Sequence, residues 1–400
     1  MTKMMRNELD IKVNDALAHD LQKGVPILMK DGFIETESLE EGTILKLQNP
    51  AGKFIGKGYV GKQNKGIGWL LTKNENEKMD KAFFQKKISA AIKHRDDYYH
   101  NTNTTAFRVF NGEGDGIGGL IIDYFDGYYL ISWYSEGIYS FKETILEALE
   151  ASVSYKGIYE KKRFDTKGQY VEDDDFVKGN RGDFPLLVKE NGQNFAIYLN
   201  DGAMVGVFLD QRDVRQTIRD NYSKGKTVLN TFSYTGAFSV FAAVGGATKT
   251  TSVDLAKRSL SKTTEQFEVN GIDVENQDII VMDVFDYFKY AKRKELSFDV
   301  VILDPPSFAR SKKYTFSSAK DYTKLLIDAI HITEKNGVIV ASTNNATFGM
   351  KKFKTFVEKA FNESNRKYTI EEEFSLPSDF RTSPLFKEGN YLKVLFIRAK

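Results

Sequence analysis

The stretch DVVILDPPSFARSKK, Asp299–Lys313, sets the terms on which the rest of the chain is read. It starts as a buried strand and stops abruptly at Asp304-Pro305-Pro306. Proline donates no ladder hydrogen bond and pushes the residue before it out of helical geometry. The strand must therefore end at Asp304, and a stiff loop carrying Phe308 must follow. Only seven prolines occur in 400 residues, and two of them stand side by side here.

Outward from this strand the pattern repeats. TVLNTF, TTSVD, DIIVMD, DVVILD, GVIVAS and YLKVLFIRA alternate with helical segments from about residue 196 to the end. Such alternation predicts an α/β region with a parallel, doubly wound, Rossmann-like sheet. Asn270-Gly271 and Asn336-Gly337 fall where helices are expected to end. Upstream the pattern changes. Residues 1–75 read as short strands (VPILMK, GTILKLQ, GKFIGKGYV, GIGWLL) broken by glycines, a small β-rich domain. Residues 76–195 read as a connecting helix, spaced by Phe84, Ile88, Ala91 and Ile92, followed by a central α+β domain. The charged run EKKRFDTKGQYVEDDDFVKGNRGD reads as loop or edge structure.

Composition excludes several classes. The chain has no cysteine, which removes disulfides, thiolate metal ligands and thiol nucleophiles together. Four scattered histidines lack metal spacing, so no metal is expected. A formal charge of +2 means that any nucleic-acid site must be a local basic face. No run approaches a membrane span and the first residues form no secretory core, so a soluble, cytoplasmic protein is expected.

GDGIGG, Gly114–Gly119, matches G-x-G-x-x-G but runs into LIIDYF, a strand rather than a helix. A turn is the better reading. The stronger site lies at the carboxyl ends of the C-terminal strands, where open parallel sheets bind ligands. The first strand is followed by Asn230-Thr-Phe-Ser-Tyr-Thr-Gly236, and the next three end in Asp254, Asp283 and Asp304. One acidic strand end means little, but three in succession beside a glycine-containing loop point to a nucleoside ligand. The loop has one glycine and no phosphate-binding lysine, which favours a nucleoside without phosphates. S-adenosylmethionine fits, with Asp254 on the ribose and Asp283 and Val284 near the adenine. Asp304 and the Pro305 carbonyl would then accept hydrogen bonds from an acceptor base, and Phe308 would stack on its face. The plain alternative is a sharp strand-to-loop turn with a buried phenylalanine.

GVFLDQRDVR (206–215), VLNTFSYTGAFSV (228–240) and LDPPSF (303–308) resemble the bacterial 23S rRNA large-subunit methyltransferase I family. GTILKLQNPAGKFIGKGY looks like the PUA-type RNA-binding domain of that family, and GEGDGIGGLIIDYF like its central domain. The resemblance implies a class I, S-adenosylmethionine-dependent enzyme acting on RNA. It implies a donor pocket of Phe208, Gln211, Arg212, Asn230, Phe232, Ser233 and Gly236, completed by Asp254, Asp283, Val284 and Asp304. Asp304, Pro305, Pro306 and Phe308 would hold the base, with Asn345 orienting it.

The best-known activity of the family is at cytosine carbon 5, which needs a cysteine to add to the ring. Here the loop after the fifth strand reads Ala341-Ser-Thr-Asn-Asn345 and offers no thiol. DPPSFARSKK and STNNATFGMKKF are instead similar to the 23S rRNA guanine-N7 methyltransferases. A base nitrogen such as guanine N7 is therefore the expected acceptor. Arg310, Lys312, Lys313, Tyr314 and Phe316, with Lys161, Lys162 and Arg163, are candidates to follow an RNA backbone. Two other readings stand beside this one: a non-catalytic RNA-binding or ribosome-assembly factor that keeps the donor pocket, and a small-molecule methyltransferase. Oligomeric state is left open, a homodimer among the options.

Overall fold

The computed structural model describes residues 8–34, 39–63, 65–164, 175–202, 204–310 and 313–400. The chain forms two compact units, each assembled from separated stretches of sequence. The first comprises Met1–Phe184, Tyr198–Val205 and Ser378–Gly389; the second comprises Pro185–Ile197, Gly206–Pro377 and Asn390–Lys400.

The first unit contains two five-stranded sheets. One runs Glu8–Lys12, Ile44–Gln48, Phe54–Val60, Gly66–Thr72, Ile27–Met29; the other runs Phe176–Gly179, Gly157–Lys162, Tyr128–Trp133, Leu120–Phe125, Ala106–Asn111. The expected connecting helix is Lys81–His94, and its Phe84, Ile88 and Ala91 enter one apolar core with Tyr59, Trp69 and Trp133. GDGIGG is a turn, as its context predicted. It precedes the strand Leu120–Phe125, and Gly116 and Gly119 take φ of 89° and 79°. Lys161 is fully buried and hydrogen-bonded to Asp175, so it cannot reach an RNA backbone. Part of the charged run, 165–174, lies outside the described residues, as does Lys312.

The second unit is built on a seven-stranded sheet. Its strands in chain order are β1 (Thr227–Thr231), β2 (Lys249–Asp254), β3 (Asp278–Val281), β4 (Phe298–Leu303), β5 (Thr333–Thr343), β6 (Tyr368–Phe374) and β7 (Lys393–Ala399). Their spatial order is β3-β2-β1-β4-β5-β7-β6. Successive side chains of a strand face opposite sides, and β4 shows why it reads as continuously apolar. Val300 and Ile302 enter one core with Val228, Phe238 and Phe396, while Val301 and Leu303 enter another with Leu229, Leu325 and Phe361. Helices α1 (Ala237–Val244), α2 (Arg258–Glu268), α3 (Val284–Arg293), α4 (Ser318–His331) and α5 (Met350–Glu363) complete the layers.

Three details differ from the sequence reading. β7 is antiparallel to both β5 and β6, so the sheet is not wholly parallel. β6, YTIEEEF, was not foreseen; it carries three glutamates and is an edge strand, where charge is common. Asn336-Gly337 does not cap a helix. α4 ends at His331, and Asn336 takes φ 61° within β5, near a register shift against β4.

Candidate active site

The parallel pairing of β2, β1, β4 and β5 brings their carboxyl ends to one edge of the sheet. The loop after β1 is the most contorted part of that edge. Phe232, Tyr234 and Gly236 take φ of 54°, 53° and 76°, and left-handed backbone is costly for the two aromatic residues. Asp254 holds the loop, its Oδ2 accepting from the Tyr234 N–H at 2.9 Å and its Oδ1 from the Ala256 N–H at 2.8 Å. Thr235 Oγ1 donates to the Gly206 carbonyl at 2.6 Å. A Cβ on Gly236 would lie 2.4 Å from Thr263 Cγ2, so the loop approaches α2 as closely as glycine allows.

Around this loop several buried polar atoms lack a partner within the protein. They include Asn230 Oδ1, Ser233 Oγ and Gln211 Oε1. Buried polar atoms are normally satisfied, so these three are candidates for contact with a polar ligand. Asp283 is also the N-cap of α3, accepting from Phe285 N–H at 3.0 Å, with Val284 buried beside it. Phe232 packs against Phe285 and Phe316. Phe316, a candidate for RNA contact, is therefore a core residue.

Gln211 is the hub between strands. Its Nε2 donates to Asp304 Oδ1 at 3.0 Å and to Ser342 Oγ at 2.7 Å, tying the ends of β4 and β5. Burial pushes the Asp304 carboxyl up to about 6, with Asp210 adding to the rise and Ser342, Arg215 and Gln211 opposing it. Arg212 is buried with its Nε 3.8 Å from Asp213. Phe208 is exposed and its ring meets Tyr234 at 5.3 Å.

Beyond Asp304 the chain turns into a short hairpin, Phe308–Arg310 against Thr315–Ser317. Phe308 is 63% exposed, so it is not the buried phenylalanine of the plain alternative. Pro305 is buried and Pro306 exposed. Asn345 is built into its loop rather than presented from it. Its Nδ2 donates to Ser318 Oγ at 2.9 Å, and its Oδ1 accepts from Thr347 N–H and Oγ1 at 2.9 and 2.7 Å. The Thr343 hydroxyl is buried and accepts from the Asn345 N–H at 3.3 Å.

Sequence reasoning missed three residues here. Arg215, within the quoted GVFLDQRDVR, pairs bidentately with Glu190 at 2.7 and 2.8 Å and donates to the Phe208 carbonyl at 2.6 Å. Ser342 receives the Gln211 bond. Lys393, 4% exposed, donates to the carbonyls of Asn345 at 2.9 Å and Tyr391 at 2.5 Å. A single lysine heading the apolar strand VLFIRA was the available signal. Among the described residues no helix is long and apolar enough to cross a membrane, and no group of His, Cys, Asp or Glu is placed to hold a metal.

Comparison with known proteins bears on this arrangement. Residues 123–385 match the S-adenosylmethionine-dependent methyltransferase family model, and residues 11–73 match a PUA-like domain. The chain is 58% identical over 393 residues to a candidate ribosomal RNA large subunit methyltransferase, YwbD, of Bacillus subtilis strain 168, covering 98% of this chain and 99% of that protein. It is 29% identical over 362 residues to ribosomal RNA large subunit methyltransferase I of Aeromonas salmonicida strain A449, covering 90% and 91%. A crystal structure of a candidate methyltransferase complexed with SAH superposes with TM-score 0.91 at 40% identity, covering 98% of this chain and all of that one. A candidate S-adenosylmethionine-dependent methyltransferase from Streptococcus mutans gives TM-score 0.89 at 39% identity over the same shares. The chain therefore belongs to the S-adenosylmethionine-dependent methyltransferase family and is an enzyme that uses S-adenosylmethionine as its methyl donor, with a PUA-like domain near its N-terminus.

Proposed function

We propose that this enzyme methylates a base of large-subunit (23S) ribosomal RNA in the cytoplasm, at a ring nitrogen such as guanine N7 rather than at cytosine carbon 5. The ribosomal RNA assignment rests on the names of the relatives. The choice of atom rests on one observation: the chain has no cysteine, and the hydroxyl at the corresponding strand end, Thr343, is buried against the Asn345 N–H. Carbon 5 of cytosine needs a covalent nucleophile; a ring nitrogen brings its own lone pair. When bound, the donor supplies a methyl group on a sulfonium, and the nitrogen lone pair forms the new N–C bond as the C–S electrons return to sulfur.

The residues of this chain then bind and orient. Asn230, Ser233, Gly236 and Asp254 would hold the donor's nucleoside, with Asp283 and Val284 beside the adenine and Phe208, Gln211, Arg212 and Phe232 completing the wall. Asp304 and the Pro305 carbonyl would take the base edge, and the exposed Phe308 ring would stack on its face, a contact worth about 1–3 kcal/mol. Pro306 stiffens the loop between them. Asn345 would act through the loop it braces, since most of its own hydrogen bonds are spent on Ser318 and Thr347.

The test is mass spectrometry of nucleosides from the 23S rRNA of a deletion strain and its parent. Loss of 7-methylguanosine or another N-methylated base on deletion supports the reading. Loss of 5-methylcytidine overturns the choice of atom, and an unchanged nucleoside profile overturns the substrate.

A further inference from the structure

The base pocket has a basic shelf beside it whose cations no part of the reaction above uses. The hairpin after Asp304 is anchored to the outer face of α3. Lys313 pairs with Asp286 at 2.9 Å, Tyr314 donates to the same carboxylate at 2.7 Å, and Lys289 donates to Tyr314 Oη at 2.5 Å. The Tyr314 ring also meets Phe285 at 5.4 Å. Asp286 is thus occupied from two sides by hairpin residues; Lys289, itself 3.9 Å from the same carboxylate, and Lys292 remain exposed. Phe285, Lys289 and Lys292 fall at i, i+4 and i+7 and so share one helix face.

The neighbouring helix is of mixed sign, with Lys320 and Lys324 set against Asp321 and Asp328. Asp328 of α4 lies, half-buried, in the combined field of Lys324, His331, Lys292 and Lys289. One carboxylate is set among lysines from two helices. At the other end of the shelf, Phe308 and Arg310 are two residues apart on one strand and therefore point to the same side, about 7 Å apart. Both are exposed. An exposed ring, then a guanidinium, then a row of lysines matches a single nucleic-acid strand: one base to stack, then successive phosphates to neutralise.

We propose that the hairpin and the outer face of α3 form the phosphate track for RNA flanking the target nucleotide, with Lys289 and Lys292 as its phosphate contacts. This rests on the ribosomal RNA reading above. The lysines lie outside the donor pocket and outside both cores, and the hairpin keeps its Lys313 and Tyr314 bonds to Asp286 when they are replaced, so donor chemistry is left untouched.

The test is Lys289→Gln with Lys292→Gln in the full chain. Its control is Lys224→Gln with Lys367→Gln, two exposed lysines just before β1 and β6, at the opposite end of the sheet. Binding of 23S rRNA from the deletion strain is measured between 50 and 200 mM salt. The expected result is a log–log salt slope shallower by about 1.4–1.8, from two lost phosphate contacts. KM for RNA rises at least fivefold, while kcat at saturating RNA and SAH affinity stay within twofold, and the control pair changes neither. An unchanged slope and KM in a variant whose parent binds and methylates the RNA would overturn the track and assign the shelf to an acidic protein surface or to solvent. If the parent itself neither binds nor methylates the RNA, the substrate reading fails and the track fails with it.

Discussion

On the proposed reading, Asp304 sits where stability and function pull in opposite directions. Its carboxyl is raised from an ordinary 3.8 to about 6, burial being the main cause. The native state therefore holds this proton more tightly than the unfolded chain does. The group leaves stability undiminished below about pH 4, and the stability is lost as the pH rises through 6 and the charge forms in a poorly solvated place. A rise of that size corresponds to about 3 kcal/mol at neutral pH, an upper figure. Asp304→Asn should accordingly lower kcat at least tenfold and yet unfold at higher denaturant than the parent at pH 7.5, the gap closing at pH 4. Chemical denaturation at the two pH values with a turnover assay checks both signs. A variant with turnover within tenfold of the parent would remove Asp304 from the acceptor site. The bound sulfonium should favour the carboxylate, so donor affinity should rise between pH 5 and 7, and calorimetry should show protons released on binding. This residue was legible in the sequence because two prolines dictate where β4 ends. Gln211, its partner, was reached only through resemblance, because 93 residues separate the two in the chain.

At the scale of the element, the loop after β1 was legible as a candidate ligand loop from its position and its glycine. Its left-handed Phe232 and Tyr234 were not, because nothing local favours that conformation; Asp254 imposes it across the strand edge. Gly236→Ala should strain a φ of 76° and drive Cβ into Thr263, costing more than the ~1 kcal/mol of an unstrained change. We expect SAH affinity to fall at least tenfold by calorimetry with RNA affinity unchanged; equal SAH affinity would mean the loop does not hold the donor. β7 carries a different lesson. Lys393 is buried with two carbonyls as partners, and burial lowers its pKa to about 8. The depressed value means the unfolded chain binds this proton more tightly, so stability should rise with pH between about 8 and 10.5, by up to about 3 kcal/mol. Lys393→Met should abolish that rise in denaturation experiments at pH 8 and 10, while the slackened Asn345 loop lowers kcat. A preserved rise would place the titration elsewhere. Sequence reasoning passed over the lysine, because its partner carbonyl belongs to a loop 48 residues earlier.

Over the whole molecule, the sequence reading placed boundaries near 75 and 195, where composition changes. Composition cannot show that Ser378–Gly389, late in the chain, folds with the first unit. The reason lies in a buried network. Arg95 is fully buried, pairs bidentately with Asp115 at 2.8 and 2.7 Å, and donates from Nε and Nη2 to the Asp379 carbonyl at 3.0 and 2.6 Å. Asp379 Oδ2 in turn accepts from the Arg108 N–H at 2.9 Å. Three stretches distant in sequence thus meet through one guanidinium, and no hydrophobic periodicity announces it. Removing one partner of a buried pair strands the other, a loss of about 3–5 kcal/mol. Arg95→Met should therefore destabilise the first unit by that amount and loosen the 378–389 segment, read as faster amide exchange at Asp379 and its neighbours. Every donor-pocket residue named above belongs to the second unit, so SAH affinity at 25 °C should stay within twofold. If SAH binding collapsed together with the first unit's stability, the two units would share a single unfolding transition and the donor site would depend on both. Hydrogen exchange with calorimetry on the same variant separates these outcomes, because the first reports the segment and the second the pocket.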